Sequence, residues 1–249
     1  TTYTQSITLS KCIKPLDLFD RLVAKITGKK GLVRSSIFEQ QADGTPGEYE
    51  FMVIDNGLWA RGFPDSYEGG SGEEQKIQLT TSFKDAFESF NYLEPLCWFT
   101  EIVGNKEYVR IETARHTQQN FIGIKLDVVN DINEEGSKID VFSNIKIGHE
   151  KSLEYEEVSG LDEPNGQSEF TTFIKRNDSE YTALSGFRVD AVGYEITRRL
   201  PFTLFPKKDA KRDDDIWMHD AELIEGTDII THKTFVVKPY ESFVLRSWL

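Results

Sequence analysis

The sequence predicts an α+β fold of mainly antiparallel β domains with short inserted helices. Three observations carry that expectation. Apolar residues recur at three- and four-residue spacing only over short stretches, 15–27 and 83–90. Runs of period two, bounded by Gly, Pro and Asn, fill much of the remainder. Strands never alternate with long helices, which argues against a doubly wound parallel sheet.

Taken in order, residues 6–9 alternate as a short strand. Pro15 presets the first turn of a helix, and Leu16, Phe19, Leu22, Val23 and Ile26 form its apolar stripe. Asp17 and Asp20 lie toward the positive end of the helix dipole and Lys25 toward the negative end, with Gly28 placed as the C-terminal cap. Residues 40–47, polar and carrying Gly44 and Pro46, read as a surface loop. A strand at 49–54, a turn at Asn56-Gly57 and a returning strand at 58–61 follow. Residues 65–74, rich in Gly, Ser and acid, read as the most mobile stretch.

The segment 77–115 is the most informative. Ser82-Phe83-Lys84-Asp85 has the form of a capping box, in which the Ser82 hydroxyl takes an unpaired amide of the first turn. Phe83, Phe87 and Phe90 share one helical face, and Pro95 prevents continuation. Strands at 97–103 and 108–113 flank a Gly104-Asn105 turn. A helix followed directly by a hairpin suits an assembly or binding scaffold.

Residues 121–129 alternate cleanly, with Ile122, Ile124, Leu126 and Val128 on one side and Gly123, Lys125 and Asp127 on the other. A loop at 130–138 divides a helix-hairpin-containing β domain, 1–130, from a second β-rich domain, 131–249. Further strands are expected at 139–147, 170–174, 187–199, 215–218, 229–230, 235–238 and 243–245, with an acidic, turn-rich stretch at 153–168 and a charged loop at 206–214.

A length of 249 residues allows one large or two small domains, and 38% apolar residues with 17 Phe supply a core. The net charge of −13 argues against stable nucleic-acid binding, which relies on clustered Lys and Arg. The basic runs Lys29-Lys30, Arg198-Arg199 and Lys207-Lys208 are short and read as solvated faces or loops. Two isolated cysteines, Cys12 and Cys97, fit neither a disulfide framework nor a zinc site and are expected as thiols in a reducing compartment. No apolar run approaches the ~20 residues that span a bilayer, and no signal peptide is expected. The chain opens Thr1-Thr2-Tyr3 and stops in what reads as a strand, so a domain of a longer polypeptide is expected.

Residues that could carry chemistry are few. Asp131, Asn133 and Gly136 fall at calcium-loop offsets, but Glu135 replaces the usual Asp or Asn and Phe142 stands where a bidentate carboxylate is required. Asp213, Asp214 and Asp215, with His219 downstream, are the best candidates for a metal or acid–base cluster, since hard cations favour grouped carboxylates. Against them stand the strand alternation after Asp215 and the neighbouring Lys207, Lys208, Lys211 and Arg212, which suggest a solvated, self-neutralising loop. His116, His149, His219 and His232 form no His-x-x-x-His pair, and no nucleophile elbow, P-loop or dinucleotide fingerprint occurs. Trp59, Trp217 and Trp248, with Tyr67 and Trp98, could stack on sugars, though aromatics in strands usually serve the core. Asn177-Asp178-Ser179 matches a glycosylation sequon without a secretion signal to support it. No cofactor is expected.

Several phrases in order resemble an internal region of large phage or prophage tail proteins of gut bacteria. They are Ile13-Lys14-Pro15-Leu16-Asp17-Leu18-Phe19 with Lys25-Ile26-Thr27-Gly28, then Asn56-Gly57-Leu58-Trp59-Ala60-Arg61-Gly62 and Thr80-Thr81-Ser82-Phe83-Lys84-Asp85-Ala86-Phe87. Asn144-Ile145-Lys146-Ile147-Gly148 and Gly186-Phe187-Arg188-Val189-Asp190-Ala191-Val192-Gly193-Tyr194-Glu195 complete the set. Such proteins are similar in plan to baseplate-hub and tail-tip proteins. The resemblance implies a non-enzymatic hub scaffold of small β domains with inserted helices. It implies copies that associate with one another and with neighbouring tail proteins in a ring between tail tube and distal tip. It also implies a place in the virion tail after assembly in the bacterial cytoplasm. The competing expectations are a carbohydrate-binding β module using the tryptophans, and a metal-dependent hydrolase built on Asp213, Asp214, Asp215 and His219.

Overall fold

The computed structural model describes residues 9–68, 73–117, 142–150, 167–173, 180–189, 191–208, 212–220 and 234–236. They form a mixed α+β structure of small sheets, two of three strands and three of two strands, with short helices between them. The expected strand at 121–129, the break at 130–138 and the calcium-loop residues Asp131, Asn133, Glu135 and Gly136 lie outside the described residues. So do the sequon, Trp248 and the expected strands at 229–230 and 243–245.

Strand β1 (Leu9–Lys11) leads into α1 (Pro15–Thr27), which begins at its proline and ends on Gly28 with φ 72°. That left-handed backbone is the conformation a glycine adopts without Cβ strain. Asp20 does more than complement the helix dipole. Its carboxylate accepts the backbone amides of Gly31 and Leu32, each at 2.9 Å, and so fixes the turn into β2 (Val33–Arg34).

The Ser82 cap forms as the sequence predicts, its hydroxyl accepting the Asp85 amide at 3.0 Å at the start of α3 (Phe83–Asn91). Asn91 then accepts the Leu96 amide at 2.7 Å, coupling the helix end to the hairpin of β6 (Leu96–Val103) and β7 (Lys106–Thr113). Gly104 makes the turn with φ 63°, and a helical turn, α4 (Ala114–Thr117), follows β7. Strand β7 is central, antiparallel to β6 and parallel to β2. Helices α1 and α3 join a core in which Phe19 contacts Phe38, Phe83 and Phe90 at ring separations of 5.9, 5.5 and 5.6 Å, with Ile111 of β7 buried among the same cluster.

Two segments differ from expectation. The 58–61 stretch is no returning strand. Gly57–Ala60 is a helical turn, α2, because Asn56 uses its side-chain oxygen to accept the Trp59 amide at 2.9 Å, the N-cap role in place of the turn role. The strand β3 (Met52–Asn56) that precedes it is buried throughout. The expected strand at 187–199 is mainly helix α5 (Ala191–Arg198), with a single bridge from Arg188 to Trp217 as its strand-like remnant. Part of the stretch expected to be mobile is also ordered, since β4 (Ser66–Glu68) pairs with β5 (Glu74–Lys76).

Strand β8 (Asn144–His149) lies between β9 (Gln167–Thr171), antiparallel, and β10 (Glu180–Ser185), parallel. Strand β11 (Ile216–Asp220) pairs antiparallel with β3, and β12 (Thr234–Val236) with β1. Main-chain hydrogen bonds therefore join residues from either side of the 130–138 segment.

Candidate functional site

The β3/β11 ribbon separates two environments. Side chains alternate across a strand, so Ile54 and Met218 face the main core while Val53, Asp55, Trp217 and His219 share the other face. Helix α5 lays Tyr194 over that second face, its ring 5.5 Å from Trp217 and 4.4 Å from His219.

Asp55 is the centre of this face and is fully buried. Its Oδ2 accepts the Tyr194 hydroxyl at 2.7 Å and the Ser10 hydroxyl at 3.0 Å, and its Oδ1 lies 3.0 Å from His219 Nε2, which donates when it carries the proton. Burial, reinforced by the Asp55 charge, pushes the Tyr194 phenol well above its ordinary value of 10, so the hydroxyl stays a donor. One carboxylate thus ties β1, β3, β11 and α5 together.

Two buried ion pairs frame the centre. Arg188 Nη1 donates to Asp215 Oδ2 at 2.8 Å while its guanidinium lies 4.5 Å from the Trp217 ring. Arg61 pairs with Asp213, and its remaining donors reach the carbonyls of Leu200 and Phe205 at 2.6 Å and of Lys207 at 3.1 Å. The 212–215 turn also feeds its backbone to α2, whose Gly57 and Leu58 amides donate to the carbonyls of Asp215 and Asp213 at 3.2 and 3.3 Å. This approach is so close that a Cβ on Gly57 would overlap the Arg212 carbonyl oxygen.

The four residues singled out as a metal or acid–base cluster are therefore parted. Asp213 and Asp215 belong to separate arginines and are buried, contrary to the solvated loop expected of them. Asp214 is exposed and pairs with Lys208 at 2.7 Å, and His219 bonds to Asp55. Among the described residues, no group of three or more His, Cys, Asp or Glu is arranged to hold a metal ion. Ser10 and His219 both bond to Asp55, whereas nucleophilic catalysis needs the hydroxyl on the imidazole.

The aromatic candidates are also dispersed. Trp217 is fully buried and Tyr67 buried, so neither offers a face to a sugar; Trp59 is half-buried, with its ring nitrogen enclosed. Trp98 is exposed and meets Phe83 edge-on at 6.2 Å. Cys12 and Cys97 are unbridged, half-buried thiols. A further polar anchor, Glu112 of β7, is fully buried, accepting the Ser36 amide at 2.9 Å and the Arg110 Nε at 2.8 Å.

Sequence inspection singled out none of Asp55, Arg61, Ser10, Tyr194 or Arg188 for a role. The available signal was a charged residue inside an otherwise apolar run, as Asp55 follows Met52-Val53-Ile54. Among the described residues no helix is long and apolar enough to cross a membrane. No protein-family model, curated protein or solved structure matches the chain.

Proposed function

We propose that this chain is a non-enzymatic structural segment of a phage or prophage tail tip or baseplate hub, one of several copies in a ring between tail tube and distal machinery. The observation that carries the reading is how the side chains are used. The buried ionisable groups around Asp55, Asp213 and Asp215 are bonded to one another and knit distant segments, while large apolar side chains face outward at separate places. Strand β6, at one edge of its sheet among the described residues, exposes Trp98 (55%) and Ile102 (75%). An edge strand that carries exposed apolar side chains is open to pairing with another chain. The phrases resembling tail-hub proteins contain Arg61, Arg188 and Tyr194, three residues of the frame, which suits a scaffold signature.

The partners are other copies and neighbouring tail proteins, and the place of action is the virion tail after assembly in the bacterial cytoplasm. A net charge of −13 suits a conduit for DNA, because like charge keeps the nucleic acid from adhering during passage. Mass spectrometry of purified particles tests the reading. Peptides of this chain in intact virions, at several copies per tail, are expected; their absence from particles overturns it.

A further inference from the structure

We infer that Asn56-Gly57 is a folding-gated modification site, at which the unfolded chain deamidates and loses its competence to fold while the folded chain is protected. It is independent of the tail-hub role.

An asparagine followed by glycine is open to this chemistry because a glycine amide is the least hindered backbone nucleophile. The Gly57 nitrogen gives up its proton and attacks the side-chain carbonyl carbon of Asn56. The new N–C bond closes a succinimide ring as the side-chain nitrogen leaves with a proton as ammonia. Water then opens the ring to aspartate or to isoaspartate, whose main chain runs through the former side chain and is one methylene longer. No oxidant or cofactor is consumed.

The fold demands both residues of the pair. Asn56 caps α2, its side-chain oxygen accepting the Trp59 amide at 2.9 Å, a role open to few residue types. Gly57 lies so close to the 212–215 turn that any Cβ would overlap the Arg212 carbonyl oxygen, which excludes the side chains that would hinder the attack. Tertiary structure thus imposes a labile dipeptide on the sequence.

The same contacts stop the reaction once they form. The attacking amide is committed to the Asp215 carbonyl at 3.2 Å. The Asn56 side chain is held at both ends, its oxygen by Trp59 and its nitrogen by the Gln78 carbonyl at 3.4 Å. Asn56 is only 3% exposed, so the hydroxide that would take the amide proton is kept out. Ring closure therefore waits for the β3–α2 junction to open.

The products do not fit back. Asn56 ends the β3 ladder opposite Ile216, and the longer main chain of isoaspartate breaks the step from that ladder into α2. Aspartate would set a carboxylate oxygen against the Gln78 carbonyl, beside the fully buried Asp55. Chains that deamidate before they fold are lost, a covalent route to irreversible unfolding.

The test incubates the full 249-residue chain in buffer and in urea at mildly alkaline pH, with deamidated peptides counted by mass spectrometry. In urea Asn56 should react at a rate close to that of Asn165 in the second such pair, Asn165-Gly166. In buffer Asn56 should react at least about a hundredfold more slowly than in urea. A second arm dilutes urea-aged chains carrying Asn165→Ser into buffer. The refolded yield should fall in step with Asn56 deamidation, and the refolded fraction should hold only intact Asn56. Adding Asn56→Ser, which keeps a capping hydroxyl and has no amide to lose, should preserve the yield. Four results each overturn the inference: Asn56 intact in urea, smaller protection in buffer, isoaspartate in refolded protein, or equal loss of yield with Asn56→Ser. The rate comparison uses the unaltered chain, so it decides the matter even where a variant fails to fold.

Discussion

Replacing Arg61 with methionine keeps the length of the side chain and removes its charge, leaving the buried Asp213 carboxylate without its guanidinium. Removing one partner of a buried ion pair costs about 3–5 kcal/mol, most of it from the uncompensated charge left behind. The carbonyls of Leu200, Phe205 and Lys207 lose donors as well, but they lie in an exposed loop that water can reach, so their loss adds less. A domain of this size has about 5–15 kcal/mol to lose, so the variant remains folded while its urea midpoint falls clearly at unchanged slope. The double variant Arg61→Met with Asp213→Leu removes the orphaned charge and should be more stable than Arg61→Met alone, with a coupling of about 1–3 kcal/mol. Hydrogen exchange should show the 200–207 amides losing protection in both variants. A cost below about 1 kcal/mol for Arg61→Met, or strictly additive single changes, would refute the claim that this pair anchors the loop.

Tyr194→Phe removes one of the donors to Asp55 and should cost about 1.5–3 kcal/mol at neutral pH by urea unfolding. Because burial raises the Tyr194 phenol, its contribution is complete below the unfolded value near 10 and is lost as pH climbs above it. The wild type should therefore lose stability more steeply above pH 10 than Tyr194→Phe does, in paired alkaline melts. Glu94 is raised above its ordinary 4.5 by burial first and by the Glu48 charge second, so its ionised form is disfavoured in the folded state. Glu94→Gln should then stabilise the protein at pH 7 and bring no gain below pH 4, where both states already carry the proton. Gly57→Ala should destabilise by about 1–3 kcal/mol, because the methyl meets the Arg212 carbonyl; an unchanged melting temperature would show that the 212–215 turn can withdraw.

The elements legible in the sequence are those specified locally. Pro15 and Gly28 bound α1, Ser82 and Pro95 bracket α3, and Gly104 turns the hairpin, each acting within a few residues of the backbone it controls. Helices α2 and α5 were not legible, because Gly57–Ala60 and Ala191–Arg198 are short apolar runs for which period alone does not separate strand from helix. Tertiary contacts decide both. The 212–215 turn accepts the first amides of α2, and the Asp55 carboxylate takes the Tyr194 hydroxyl of α5. The polar centre was illegible for a related reason: Ser10, Tyr194 and His219 lie 45, 139 and 164 residues from Asp55 and meet it only after folding. Asp213 to Asp215 mislead by their composition, since three adjacent acids look solvated until two arginines are brought down on them from α2 and the bridge at Arg188.

The proposed scaffold role is tested most directly by electron cryo-microscopy of the distal tail of tailed particles purified from the source that encodes this chain. The account predicts a closed ring of copies between tube and tip, with Asp55, Tyr194 and His219 buried inside each copy and β6 at contacts. A distal tail built without this chain, or copies that touch no neighbour through β6, would contradict it.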